Sequence, residues 1–155
     1  MTRFIPSFLA AAAALAAVPV SAAPAVTLEG DVRLETTVTE NGTARVVLSE
    51  PKVVVPGNQL LFVTRYHNEG PDAVSNFVVT SPIPEAVVLR ADGSDPLEVS
   101  VDQAHTWGQL ATLKVADGKG GLRPAAATDV THVRWLLPTI AAGAVGAVQY
   151  HAIVR

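Results

Sequence analysis

No cysteine occurs in this chain. That excludes disulfide staples, thiolate nucleophiles, cysteine-ligated zinc and a lipid-bearing cysteine behind an export signal. Charge is scarce too: Asp, Glu, Lys and Arg supply 16% of residues, against about 25% in an average soluble domain. The formal net charge is −3 and no Lys/Arg cluster stands anywhere in the chain. Nucleic acid, which needs a basic footprint, is therefore not an expected partner. Aromatic residues make up only 5%, so a core must rest largely on Val and Leu. Long apolar runs are missing except for one at the N-terminus.

That run has the form of a targeting segment. Arg3 is followed by the uncharged, alanine-rich stretch Phe4 to Val20, then by Ser21-Ala22-Ala23. Cleavage after Ala22 puts Val20 and Ala22 at the −3 and −1 positions, whereas cleavage after Ala23 would place Pro24 at +1. The stretch is shorter than the ~20 residues of a spanning helix. The expectation is a signal peptide over 1–22 and one domain over 23–155, exported to the periplasm or cell exterior. No transmembrane segment is expected in the processed chain.

The remainder reads as short strands separated by turn residues about every dozen positions. Asn41-Gly42, flanked by Val38-Thr39 and Ala44 to Val47, predicts a two-residue hairpin, because both turn positions need φ > 0. Lys52 to Val55 reads as a brief β-branched strand stopped by Pro56. Leu60, Phe62, Thr64 and Tyr66 alternate with Leu61, Val63, Arg65 and His67, so the two sets face opposite ways. Asn68-Glu69-Gly70-Pro71 turns the chain into Asn76 to Thr80, and Pro82-Ile83-Pro84 marks the exit. Thr27 to Val38, as one long or two short strands, together with Val87 to Leu89, Leu97 to Val101, Trp107 to Val115, Val130 to Leu137 and Val145 to Val154, completes the strand set, with Ala125 to Thr128 a helical turn at most. About eight or nine strands predict an all-β, immunoglobulin-like antiparallel sandwich. The expected core is Leu60, Phe62, Tyr66, Phe77, Val79, Ile83, Val133, Trp135, Leu137, Val148 and Tyr150.

Pro56-Gly57, the alternating strand to Tyr66, Asn68-x-Gly70, and Phe77 through Pro84 resemble the bacterial conserved-repeat domain, also called the domain of unknown function 11 family. Trp135-Leu136-Leu137-Pro138, then Ile140 to Gly143 and the last strand, resemble its closing part. Ser81 stands where that family usually has Asp, Ile83 replaces Leu, and one copy stands where tandem copies are common. The resemblance implies an immunoglobulin-like fold in an exported envelope or surface protein and brings no catalytic residue with it. Ser100-Val101-Asp102-Gln103-Ala104-His105-Thr106-Trp107 is similar to an Asp-box, with Ala104 in place of Gly. In that motif Asp102 and Thr106 would brace a turn and Trp107 would pack beneath it. A single copy implies a stapled hairpin rather than a glycosidase.

Reactive constellations are thin. No two of His67, His105, His132 and His151 are spaced as strand or helix ligands, although His132 and His151 would meet if the closing strands were neighbours. Asp72, Asp92, Asp95 and Asp117 lack the ligand run of a calcium loop and read as turn residues. Glu29/Asp31 and Glu35/Glu40 read as solvated carboxylates. No Gly-x-Ser-x-Gly elbow exists, and Gly118-x-Gly120-Gly121 precedes no helix that would cradle phosphate. The expectation is a non-catalytic envelope protein without cofactor or metal, acting by contact with another envelope protein through an exposed strand edge. A carbohydrate-binding module using Trp107 and Tyr66 is the alternative, and a hydrolase comes last.

Overall fold

The computed structural model describes residues 25–90 and 97–155. The expected signal peptide and the Asp92 to Pro96 turn cluster lie outside the described residues. Among the described residues, ten strands form three antiparallel sheets. Strands β1 (Val26–Glu40), β2 (Thr43–Ser49), β3 (Gln59–Asn68), β5 (Val87–Leu89) and β10 (Val145–Val154) make a sheet ordered β2-β1-β3-β10-β5. Strands β4 (Val74–Pro82), β6 (Glu98–Ser100) and β9 (His132–Ile140) make a second, ordered β4-β9-β6. A small hairpin joins β7 (Lys114–Ala116) to β8 (Leu122–Pro124).

The two larger sheets bury their facing sides against each other. Leu60, Val148, Tyr150 and Ala152 from one meet Val79, Val99, Val133 and Trp135 from the other in a single cluster. All eleven residues expected in the core belong to that cluster or pack against it. Trp135 is 5% exposed and stacks on Tyr150, with ring centroids 6.3 Å apart, while Phe62 lies parallel to Tyr150 at 4.7 Å. Burial pushes the Tyr150 hydroxyl up to about 12, since the phenolate would lose its hydration.

Local signals explain the connections. Asn41 and Gly42 take φ of 53° and 79°, as a tight hairpin of this twist requires. Pro56 and Gly57 form the middle of a turn closed by Asn58 N donating to Val55 O at 3.0 Å. Gly57 adopts φ of 89° there, the left-handed conformation a type II turn needs at its third residue.

Three expectations fail. Lys52 to Val55 is no strand: β2 and β3 lie on opposite sides of β1, so the link between them crosses β1, and Val53 is left 78% exposed. β-Branched propensity without a pairing partner does not make a strand. Trp107 to Val115 is likewise broken, by a single bridge at Gly108 and a 3-10 turn over Leu110–Thr112. Finally, β9 and β10 follow one another in sequence but belong to different sheets. His132 and His151 are consequently not cross-strand neighbours.

Candidate functional site

Asn68, expected as an ordinary turn residue, is a fully buried polar hub. It ends β3 where the β9–β10 connection passes from one sheet to the other. Its Nδ2 donates to Asp72 O at 2.8 Å and to Ile140 O and Ala141 O at 3.1 Å, and its Oδ1 accepts from Gly70 N at 3.1 Å. Its backbone N–H reaches Ala144 O and its carbonyl takes Gly143 N, both at 2.9 Å. Gly143 sits at φ of 70° within the turn that Ala144 N closes on Ala141 O. A Cβ on Gly70 would come within 3.0 Å of Ala25 Cβ, so close packing sets that position. Asn68, Gly70 and Gly143, three scattered residues of the sequence motif, thus converge on one joint between the sheets. Pro84 lies elsewhere, opening the turn that Val87 N closes on Pro84 O at 3.0 Å.

The loop from Ser100 to Trp107, similar to an Asp-box, is braced by its own side chains. Thr106 Oγ1 and N donate to the two Asp102 oxygens at 2.7 and 2.9 Å, and Ser100 Oγ donates to Oδ1 at 2.7 Å. These bonds, those of Thr106 foremost, hold the Asp102 carboxyl well below the usual carboxylate range. The Trp107 indole N–H closes the loop on Ala104 O at 3.1 Å. Gln103 and Ala104 both take positive φ, 61° and 68°. Where the motif usually carries Gly, Ala104 therefore bears a steric cost. The Arg134 guanidinium lies 4.6 Å over the Trp107 ring and is itself held by Glu98 at 2.8 Å.

The two aromatics that would make a sugar platform are not brought together. Trp107 follows β6 of the smaller sheet, with one ring face under Arg134. Tyr66 stands on β3 of the larger sheet and packs against the core. Its ring covers Gly146, the residue opposite it on β10, so closely that a Cβ there would sit 2.3 Å from the Tyr66 hydroxyl. Sequence reasoning missed this pairing; a glycine inside an otherwise regular strand was the available signal.

Charged groups spread over the outer side of the larger sheet as a lattice. Glu35, expected to be solvated, has a side chain only 9% exposed that meets His151 Nδ1 at 2.9 Å and Arg90 Nη1 at 3.4 Å. Arg90 also bonds Gln59 Oε1. Asp31 is held between Arg33 at 2.8 Å and Arg65 at 3.5 Å, Arg33 chiefly keeping its carboxyl below the ordinary range. Glu35 reaches from β1 across β3 to His151 of β10 and to Arg90, the residue that follows β5, so the lattice links neighbouring strands of the sheet. The remaining histidines are dispersed: His67 lies 3.6 Å from Glu69, His105 Nδ1 meets Asp102 O, and His132 Nδ1 lies 3.1 Å from Thr131 Oγ1. Among the described residues no three His, Cys, Asp or Glu side chains converge as metal ligands. Asp117 accepts from Lys119 N at 2.7 Å and Gly121 N at 2.9 Å, bracing the tip of the β7–β8 hairpin. Asp92 and Asp95 lie outside the described residues.

The feature that presents itself outward is the β1–β2 hairpin. β3 pairs with β1 only over Val26 to Glu35, and β2 pairs with Leu34 to Glu40. Thr36 to Val47 therefore projects beyond β3 as a two-stranded arm, and β2 forms a free edge of its sheet. Val46 and Leu48 are 60% and 49% exposed. Among the described residues, five of the eleven exposed large apolar side chains fall between Val46 and Val55. Two of the five, Val46 and Leu48, stand on the free edge strand itself, and Val53 to Val55 lie in the loop that follows it. Arg45 is held on the arm by Glu40 through two bonds of 3.0 and 3.1 Å.

No family model matches the chain, and comparison with curated proteins and with solved structures found no match either. Among the described residues no helix is long and apolar enough to cross a membrane.

Proposed function

We propose that this protein is a non-catalytic, exported β-sandwich of the bacterial cell envelope that works by contact, using the β2 edge to bind another protein. The observation that carries the reading is the projecting arm with its free edge and its exposed Val46, Leu48 and Val53 to Val55. Natural sheets blunt long edges with proline, bulges or charge. β2 has no proline, and its single charge, Arg45, is neutralised within the arm. An extended segment added there would gain main-chain hydrogen bonds and cover the apolar side chains together. Export and an envelope setting are supported by the character of residues 1–22 and by the resemblance to the conserved-repeat domain. The test is a photo-reactive amino acid at position 46 in intact cells. The expected result is an adduct with an envelope protein, absent when the same group stands at position 122. Equal or no adduct formation at the two positions would overturn the reading.

A further inference from the structure

We infer that the partner strand of β2 is β2 of a second copy of this chain, paired antiparallel about a two-fold axis at Val46. The inference rests on the reading of the β2 edge as the contact surface and names its occupant. Two five-stranded sheets would then continue into one across the dimer.

The sequence of β2 suits its own inverse. Val46 is the centre of Thr43–Ser49, so the register about it lets all the strand's residues pair. Side chains 44, 46 and 48 share one face of the strand, and 43, 45, 47 and 49 the other. On the first face Ala44 meets Leu48 of the second copy, and Val46 meets its counterpart on the axis. On the other face Thr43 meets Ser49 and Arg45 meets Val47. No charge faces a like charge, the arrangement that would be destabilising across a strand pair. Glu40 already neutralises Arg45 within each arm, so the edge offers no net charge to recruit a charged segment. An edge without net charge and with exposed valine and leucine is complementary to an equally neutral, apolar strand. A two-fold axis supplies that strand from the same surface.

The remaining edges of the two larger sheets are worse candidates. β5 and β6 each span Val87–Leu89 and Glu98–Ser100 alone. β4 is longer, but Asn76 takes φ of 53° within it and Pro82 ends it. Both devices blunt an edge against pairing.

Sedimentation velocity of the purified protein across a concentration series tests the inference. A reversible dimer is expected, with Val46→Lys raising its dissociation constant at least about tenfold while leaving the melting temperature unchanged, because Val46 is 60% exposed. The chain has no cysteine of its own, so Val46→Cys reports the geometry directly. Opposed Cβ atoms about 4.5–5.5 Å apart should link readily through a short bifunctional thiol reagent, whereas Leu122→Cys, at a position 70% exposed on the β7–β8 hairpin, should not. A monomer at every concentration, or a dimer that Val46→Lys leaves intact and Val46→Cys fails to link, overturns the inference. If the chain is monomeric yet position 46 still captures a different protein in cells, the second copy is wrong and the contact edge stands. If position 46 captures nothing in cells and the chain is monomeric, both fall.

Discussion

Removing the Asn68 side chain should loosen the joint between the two sheets more than any surface change. The carboxamide is fully buried, its N–H groups shared among three carbonyls and its oxygen taken by Gly70 N. Gly70 and Asp72 lie near the surface, where water can replace the lost partner. Ile140, 2% exposed, is not so placed. Losing these bonds, two of them replaceable by water, makes Asn68→Ala destabilising by about 3 kcal/mol. For a domain of this size that lowers the melting temperature by about 10 °C. Asn68→Asp sharpens the test, because it keeps the shape but turns an oxygen toward those same three carbonyls. Burial and the facing carbonyls raise that carboxyl's pKa in the folded state above its unfolded value of about 3.9. The sign follows: the variant is least impaired below the unfolded value and loses stability as pH rises through the folded one. Melting followed by circular dichroism at several pH values, always against the parent, reads both effects. A shift under about 3 °C for Asn68→Ala, or an Asn68→Asp deficit that does not change with pH, would refute the reasoning.

Other outcomes follow from single contacts. Ala104→Gly should stabilise by about 0.5–1 kcal/mol, since relief of the left-handed alanine (about 1–2 kcal/mol) exceeds the entropy that glycine adds to the unfolded chain; a lower melting temperature would contradict this. Gly146→Ala should destabilise by about 1–3 kcal/mol by displacing the Tyr66 ring, and most of that penalty should vanish in a Tyr66→Ala background. A double-mutant cycle without coupling would dismiss the contact. Tyr150, with its folded pKa pushed up to about 12, contributes stability that is complete below about pH 10. That contribution is lost as pH rises toward 12, so absorbance at alkaline pH in a Tyr66→Phe background should show Tyr150 ionising only as the protein unfolds; its ionisation near 10 in the folded protein would contradict it.

Residues whose structural partners are near in sequence, or arranged by simple alternation, could be read from the chain. Asn41-Gly42 needed only its own φ preferences, and the core of β3, β9 and β10 followed from period-two burial. The bracing of the Ser100–Trp107 loop was legible because Ser100, Asp102, Thr106 and Trp107 bond within eight residues of one another. What could not be read depended on which sheet each strand enters. Asn68 looks like any turn asparagine until the chain brings Ile140 beside it. Glu35 looks solvated until β10 and β5 place His151 and Arg90 against it. Val53 to Val55 carry strand-forming side chains, but the crossing over β1 leaves them no strand to join. Asn76 gave no signal either: the β4–β9 ladder passes over it between the pairs Ser75–Thr139 and Phe77–Leu137. Opposite it stands Pro138, which has no N–H to donate.

Amide hydrogen exchange of β2 tests most directly whether its edge is the working surface. Exchange across Thr43 to Ser49 should be slow in envelope preparations that contain the protein and fast in the purified chain at high dilution, while the β7–β8 hairpin exchanges alike in both. Identical fast exchange of β2 in the two settings would mean that nothing docks on the arm, and the contact account would be wrong.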